Sequence, residues 1–212
     1  MRGMRNIVQV IGIAAVVAAG ASCGSVARQG SSPVFLVIDS MGGIRGGSAS
    51  PIATAELLSD VITNVTSPAP CTPAIPCPTI FNDTGTITLR APLKDVGTSI
   101  TTLAPSTNNE VTVNRYHVKY TRADGRNAPG VDVPLEWDGA VTGTIPAGGT
   151  LTTGFELVRH TAKEEAPLVQ LRNSNNFIST ITKVTFFGQD RVGNAVSVTG
   201  QIQITFGNFG DF

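Results

Sequence analysis

Twelve residues toward the end of the chain leave it little conformational choice. Between Ala195 and Phe206, the residues Val196, Val198, Gly200, Ile202, Ile204 and Phe206 alternate without a break with Ala195, Ser197, Thr199, Gln201, Gln203 and Thr205. Only an extended backbone sends successive side chains to opposite faces, so this register predicts a strand with one face buried and one wet. A second apolar run, Ile181 to Phe187, precedes it, and Gly188 to Asn194 between them reads as a turn. An alternation this regular predicts that the hairpin is central to a sheet, not peripheral.

The same period recurs upstream. Ile87, Leu89, Ala91 and Leu93 alternate with Thr88, Arg90 and Pro92. Pro92 has no N–H to give a ladder, which places that end of the strand at an edge or a bulge. Val111 and Val113 share one phase and Tyr116, Val118 and Tyr120 the other, and a phase change of one residue predicts a β-bulge near Asn114 and Arg115. Val131, Val133, Leu135 and Trp137 alternate with Asp132, Pro134, Glu136 and Asp138, which predicts another strand with an acidic outer face. Ile145 to Gly149 reads as a turn before a strand from Leu151 to Val158, and Thr161 to Gln170 as a helical turn or two in a connection. Pro33 to Asp39 has strand composition, and Pro51 to Val65 reads as strand from about Leu57 onward. Many short strands between frequent turns predict an all-β chain.

Within the last hairpin, Asp190, Gly193 and Asn194 in QDRVGN resemble the Asp-x-x-Gly-Asn turn of many bacterial immunoglobulin-like domains. The resemblance covers about twenty-five residues and implies an immunoglobulin-like two-sheet antiparallel β-sandwich. Seven or so alternating strands make the same case on physical grounds.

The chain opens differently. Arg2 and Arg5 precede a mostly apolar run from Ile7 to Ala19, followed by the small residues Gly20, Ala21 and Ser22. These are the charged region, apolar region and cleavage site of a secretory signal, and the run is shorter than the ~20 residues of a membrane-spanning helix. Gly20-Ala21-Ser22-Cys23 resembles the lipobox of bacterial lipoproteins. The resemblance implies that Cys23 receives a diacylglyceryl group, is freed by cleavage and is then acylated, with palmitate among the fatty acids such anchors carry. Two or three acyl chains hold a protein at a membrane essentially permanently, since each buried methylene contributes ~0.8 kcal/mol. The plainer alternative is an ordinary signal peptide with an incidental cysteine. The resulting division is 1–22 signal peptide, 23–32 lipidated cysteine and flexible tether, and 33–212 a single β-sandwich domain.

Three cysteines are present, and assigning Cys23 to lipid leaves Cys71 and Cys77 to pair as a disulfide in an oxidising compartment. Prolines 70, 73, 76 and 78 surround them, so the bridge closes a small, stiff loop and stabilises by ~2 kcal/mol or less. The whole chain has Lys+Arg 15 and Asp+Glu 15, of which the leader takes Arg2 and Arg5, leaving 13 against 15. That balance gives no electrostatic reason to expect nucleic acid as a partner.

Groups that could do chemistry are few. His160 and Glu164 are four apart and could share a helix face toward a metal, but Pro167 leaves little helix and a solvated pair is the stronger reading. His117 shares its strand with Arg115 and Lys119, which reads as a solvated face. Asp132, Glu136 and Asp138 offer the paired carboxylates that glycoside hydrolysis uses, though exposed strands carry such charges for solubility. Asp124, Asn127 and Asp132, or Asp190 with Asn194, offer oxygen ligands for calcium without matching a defined calcium loop. The stretch GGIRGGSAS lacks the lysine of a phosphate loop, and no nucleophile elbow occurs. Trp137, Tyr116 and Tyr120 fit core positions, which weakens a carbohydrate platform.

These residues predict no catalytic site, cofactor or metal. The expectation is an exported, non-enzymatic lipoprotein with a structural or protein-interaction role in the cell envelope, its partners being the membrane and an envelope protein. Gly24, where enteric lipoproteins of the inner membrane carry Asp, favours the outer membrane. The alternatives are a module for a small ligand such as a carbohydrate, and a calcium-stabilised adhesion-type domain. Candidate contact regions are the Gly-rich loop Met41 to Ser50 and the loop Arg122 to Gly130.

Overall fold

A computed structural model describes residues 32–48, 51–97 and 103–210. Its elements in chain order are β1 (Val37–Ile44), β2 (Glu56–Asp60), β3 (Thr63–Val65), β4 (Cys77–Thr79), β5 (Asp83–Arg90), β6 (Val111–Thr121), β7 (Trp137–Ile145), β8 (Thr150–Val158), the short helix α1 (His160–Glu164), β9 (Ile178–Asp190) and β10 (Ala195–Gly207). The chain is all-β and sandwich-like. One sheet has the order β1-β5-β8 and the other β2-β10-β9-β6-β7, while β3 and β4 form a separate ribbon. Among the described strands every pairing is antiparallel except β2 with β10.

The C-terminal hairpin holds the five-stranded sheet together. β9 and β10 pair without a register break from Ala195↔Gln189 to Phe206↔Ile178, and β9 is the middle strand. Val196, Ile202, Ile204 and Phe206 are buried from one strand, and Thr180, Thr182, Val184 and Phe186 from the other. Thr180 is tolerated there because its hydroxyl donates to the Ile204 carbonyl at 3.2 Å. The expected bulge is present: β6 shifts register against both neighbours between Val113 and Arg115. The extra residue, Asn114, lets Val111 and Val113 before it and Tyr116, Val118 and Tyr120 after it all face the core.

Two cross-strand pairs of glycine with an aromatic, one in each sheet, set the middle of the core. Gly139 of β7 lies opposite Tyr116, and a Cβ there would fall 2.2 Å from the ring carbon Cζ. Gly85 of β5 lies opposite Phe155 of β8, where a Cβ would fall 2.3 Å from Cζ. Each ring therefore lies over a bare backbone, and the two meet edge to face at 5.3 Å. Phe186 packs against both, at 5.1 Å from Phe155 and 5.9 Å from Tyr116, and Trp137 meets Tyr116 at 5.4 Å. Both tyrosines also join β6 to β8 by hydrogen bonds: Tyr120 donates to the Leu157 carbonyl at 3.0 Å, and Tyr116 accepts from the Glu156 N–H at 3.2 Å. Burial raises the Tyr116 pKa to about 12 and pushes that of Tyr120 up as well, because neither phenolate would be solvated.

Two local expectations are corrected. The alternation from Val131 to Trp137 is not a strand: Val131 is 71% exposed and Leu135 46% exposed, and β7 begins only at Trp137. Pro129 and Pro134 have no N–H to offer a ladder, and the chain turns at 128–133, where the Ala128 carbonyl takes N–H groups from Val131 at 3.1 Å and Asp132 at 2.8 Å. The first part of the Gly-rich loop, Met41 to Ile44, belongs to β1 and pairs with β5. Gly43 also exchanges two 2.9 Å backbone bonds with Thr54, an approach that puts its Cα where a Cβ would meet Leu57 at 3.0 Å. Pro92 lies just past the end of β5 at Arg90, where pairing goes on with the chain before β1: Phe35 donates to the Pro92 carbonyl at 3.2 Å and Val34 bridges Leu93.

The connection from β8 to β9 is helical, as expected: α1 is followed by a 3-10 turn at Leu168–Leu171 whose two leucines are buried. Glu56–Asp60 is strand, as read from the Leu57 end of the ambiguous segment.

Candidate functional site

Cys71 and Cys77 form a disulfide, with a Cα–Cα distance of 5.3 Å. It closes the loop that joins β3 to β4, inside which Thr72 and Ile75 exchange backbone bonds of 3.0 and 3.1 Å. Ile75 is exposed at the end of this ribbon, and the sequence carries no Asp, Glu, Lys or Arg between Asp60 and Asp83. Cys23 lies outside the described residues.

The polar outer face of β6 is charged in register with the chain before and within β7. Arg115 meets Asp138 at 3.1 Å, Lys119 meets Glu136 at 3.1 Å, and His117 lies between them, 3.4 Å from Asp138 and 3.8 Å from Glu136. The Arg115 guanidinium also covers the Phe187 ring at 4.1 Å. Exposed pairs of this kind contribute little each, and the row is a solvated face. Asp132 is not part of it: its carboxylate accepts the Ala128 N–H at 3.1 Å within the turn.

The oxygen atoms considered for calcium are engaged by donors. Asp124 is clamped by Arg122 at 2.6 Å and Arg126 at 2.9 Å, and these guanidinium bonds hold its carboxyl well below the usual range. Asn127 accepts from the Arg122 N–H at 2.6 Å. Asp190 caps its hairpin turn, accepting N–H groups from Val192 at 3.0 Å and Asn194 at 2.8 Å and the Asn194 amide at 2.8 Å. Gly193 supplies the positive φ of 90° that this turn requires. Burial opposes ionisation of Asp190, but the Asn194, Ser32 and Val192 bonds outweigh it and its pKa is lowered. Among the described residues no group of three or more His, Cys, Asp or Glu could hold a metal. His160 and Glu164 are both exposed on α1.

One cluster stands apart because it is enclosed. Lys163, on α1, is 1% exposed and Asp83, the first residue of β5, 0%. The Lys163 Nζ lies 2.9 Å from Asp83 Oδ2. Ser59 of β2 donates its hydroxyl to the same oxygen at 2.6 Å, and the Gly46 N–H reaches Oδ1 at 2.8 Å. Next to it, Arg45 pairs with the buried Asp60 at 2.5 Å. A helix, two strands and the turn after β1 thus converge on one carboxylate, holding a charge pair away from water, where breaking it is costly. Sequence reasoning missed this centre, although half of the signal was there. Asp83 and Gly85 share the parity of Ile87 and Leu89, so the inward face extends back to the acid. Lys163 in TAKEEAP gives no such sign, because its neighbours read as a solvated turn.

Among the described residues, no helix is long and apolar enough to cross a membrane. No family model matches the chain, and no curated protein matches it. One solved structure aligns with it, the X-ray structure of Northeast Structural Genomics Consortium target SoR45, at 12% identity over 84% of this chain and 89% of that one, with a TM-score of 0.32. The fold rests on the strand pairings themselves.

Proposed function

We propose that the chain is an exported lipoprotein, anchored through Cys23, that displays an immunoglobulin-like β-sandwich from a bacterial membrane in a structural or protein-binding, non-catalytic role. The single observation that carries the reading is the Cys71–Cys77 bridge, because such bonds persist in oxidising compartments and the pairing leaves Cys23 as the one unmatched cysteine. The immunoglobulin-like assignment is supported by the chain's repeated crossing between sheets, from β1 to β2, from β2 to β5, from β5 to β6, from β7 to β8 and from β8 to β9. Docking falls to the loop ends, where sandwiches carry function. The Arg122–Gly130 loop and the charge-free disulfide ribbon are the two segments that offer distinct chemistry there.

The test is to express the full chain and its Cys23→Ser variant in a bacterium fed a palmitate analogue, then fractionate. The wild type takes up label and sediments with membranes, and the variant does neither. Equal distribution of the two proteins, with neither labelled, refutes the anchor.

A further inference from the structure

We propose that Lys163 and Asp83 condense into an intramolecular amide that covalently joins α1 to the start of β5. Four features of the enclosed cluster support it. The nucleophile is in place: Nζ touches the carboxylate at 2.9 Å, with both residues held on packed elements, and reactants so fixed gain a large effective concentration. The ammonium is poorly served as an ion, since it has three N–H groups to satisfy and, among the described residues, the Asp83 carboxylate is the one partner its Nζ has. An amide nitrogen keeps a single hydrogen. The carboxylate is also dressed for the reaction, with the Gly46 N–H on Oδ1 at 2.8 Å and the Ser59 hydroxyl on Oδ2 at 2.6 Å. Finally, the site is closed to water, which shields the reacting carbonyl from hydrolysis.

The step balances without an oxidant or co-reactant. One ammonium proton passes to Oδ2, leaving a neutral amine beside a neutral acid. The Nζ lone pair then attacks Cγ, a C–N bond forms, and negative charge gathers on Oδ1, against the Gly46 N–H. A second proton leaves the nitrogen and is relayed through the Ser59 hydroxyl to Oδ2. The Cγ–Oδ2 bond breaks, one water departs, and no atom changes oxidation state. The inference does not depend on where the protein resides.

The experiment is a tryptic map of the full-length protein purified from cells. Cleavage after Arg45, Arg90, Arg159 and Arg172 releases 46–90 and 160–172. The amide predicts one branched species that joins them, lighter than their sum by one water and uncut at Lys163, with fragment ions that place the link on Lys163 and Asp83. Lys163→Arg, which keeps the charge, abolishes the branched species, and Ser59→Ala lowers the linked fraction several-fold early after synthesis. Recovery of the two peptides separately and unmodified from folded wild-type protein overturns the proposal. So does a branched species whose fragment ions place the link on another residue, such as Asp60 in place of Asp83.

Discussion

The glycine opposite Tyr116 gives the sharpest test of the core. In Gly139→Ala the new methyl falls 2.2 Å from Tyr116 Cζ, 2.4 Å from Oη and 2.6 Å from Cε1, whereas carbons rest at about 3.5–4.0 Å. The ring must therefore retreat by more than an ångström or β7 must lift away. Retreat disturbs the contacts with Trp137, Phe155 and Phe186, each about 0.5–1.5 kcal/mol beyond area burial. It also strips the Glu156 N–H of its acceptor, at about 1–3 kcal/mol. Shifting the strand is the other route, and overpacking of that kind costs about 1–3 kcal/mol. The cheaper path governs, so the substitution is expected to destabilise by about 1–3 kcal/mol, read as a lower urea midpoint at unchanged slope. A double-mutant cycle isolates the cause. In a Tyr116→Leu background the ring is gone, and Gly139→Ala should then cost less than about 1 kcal/mol, since a strand gains from losing a glycine. A Gly139→Ala protein within about 0.5 kcal/mol of wild type, or an equal penalty in both backgrounds, refutes the account of ring over glycine.

Tyr116 and Tyr120 are the only tyrosines, so alkaline absorbance titration reports on them alone. Both folded pKa values are raised. Their contribution to stability is complete below the unfolded value near 10 and is lost as pH rises from there, by up to about 1.4 kcal/mol per unit for each tyrosine. Native protein should keep both tyrosines protonated at about pH 10, with the Tyr116 midpoint raised to about 12, and half-ionisation at the free-tyrosine pH in the folded state would contradict the burial argument. Lys163→Ala leaves the Asp83 carboxylate enclosed with neither a cation nor an amide partner and is expected to cost at least about 3–5 kcal/mol in denaturant melts; a loss under about 1 kcal/mol would mean that water reaches the site. Replacing Cys71 and Cys77 by Ser should cost no more than about 2 kcal/mol, with near-ultraviolet circular dichroism of the Trp137 cluster unchanged, because the bridge closes an exposed ribbon outside the core.

The elements that could be read from the sequence are those in which the period carried the information. β10 shows as one alternating register, and the bulge in β6 as a single change of phase, because the inward positions they carry are apolar or glycine, whereas the inward face of β9 includes Thr180 and Thr182 and shows no such alternation. The stretch from Val131 to Trp137 has the same period, yet a hydrogen bond donated by the Ala128 N–H to the Asp132 carboxylate and two prolines turn the backbone. Periodicity reports on side chains, and there the backbone's hydrogen bonds decide. The Lys163–Asp83 centre was hidden for a related reason. A charged residue reads as solvated unless its partner is known, and Lys163 and Asp83 are brought together only by the docking of α1 against the start of β5.

The one parallel pairing between described strands constrains how the molecule can come together. β2 lies against β10, with Leu57 beside Ile204, and β10 fills the gap between β2 and β9. A chain emerging amino end first from a ribosome can form β1 with β5, and β6 with β7 and β9, while β2 stays without its neighbour until β10 is out. Closure of β2 into the larger sheet is therefore a late event, as expected for contacts such as Gln203 to Glu56, 147 residues apart. Until then β2 keeps an open edge, and any factor that guards it must hold on while β5 to β9 are made.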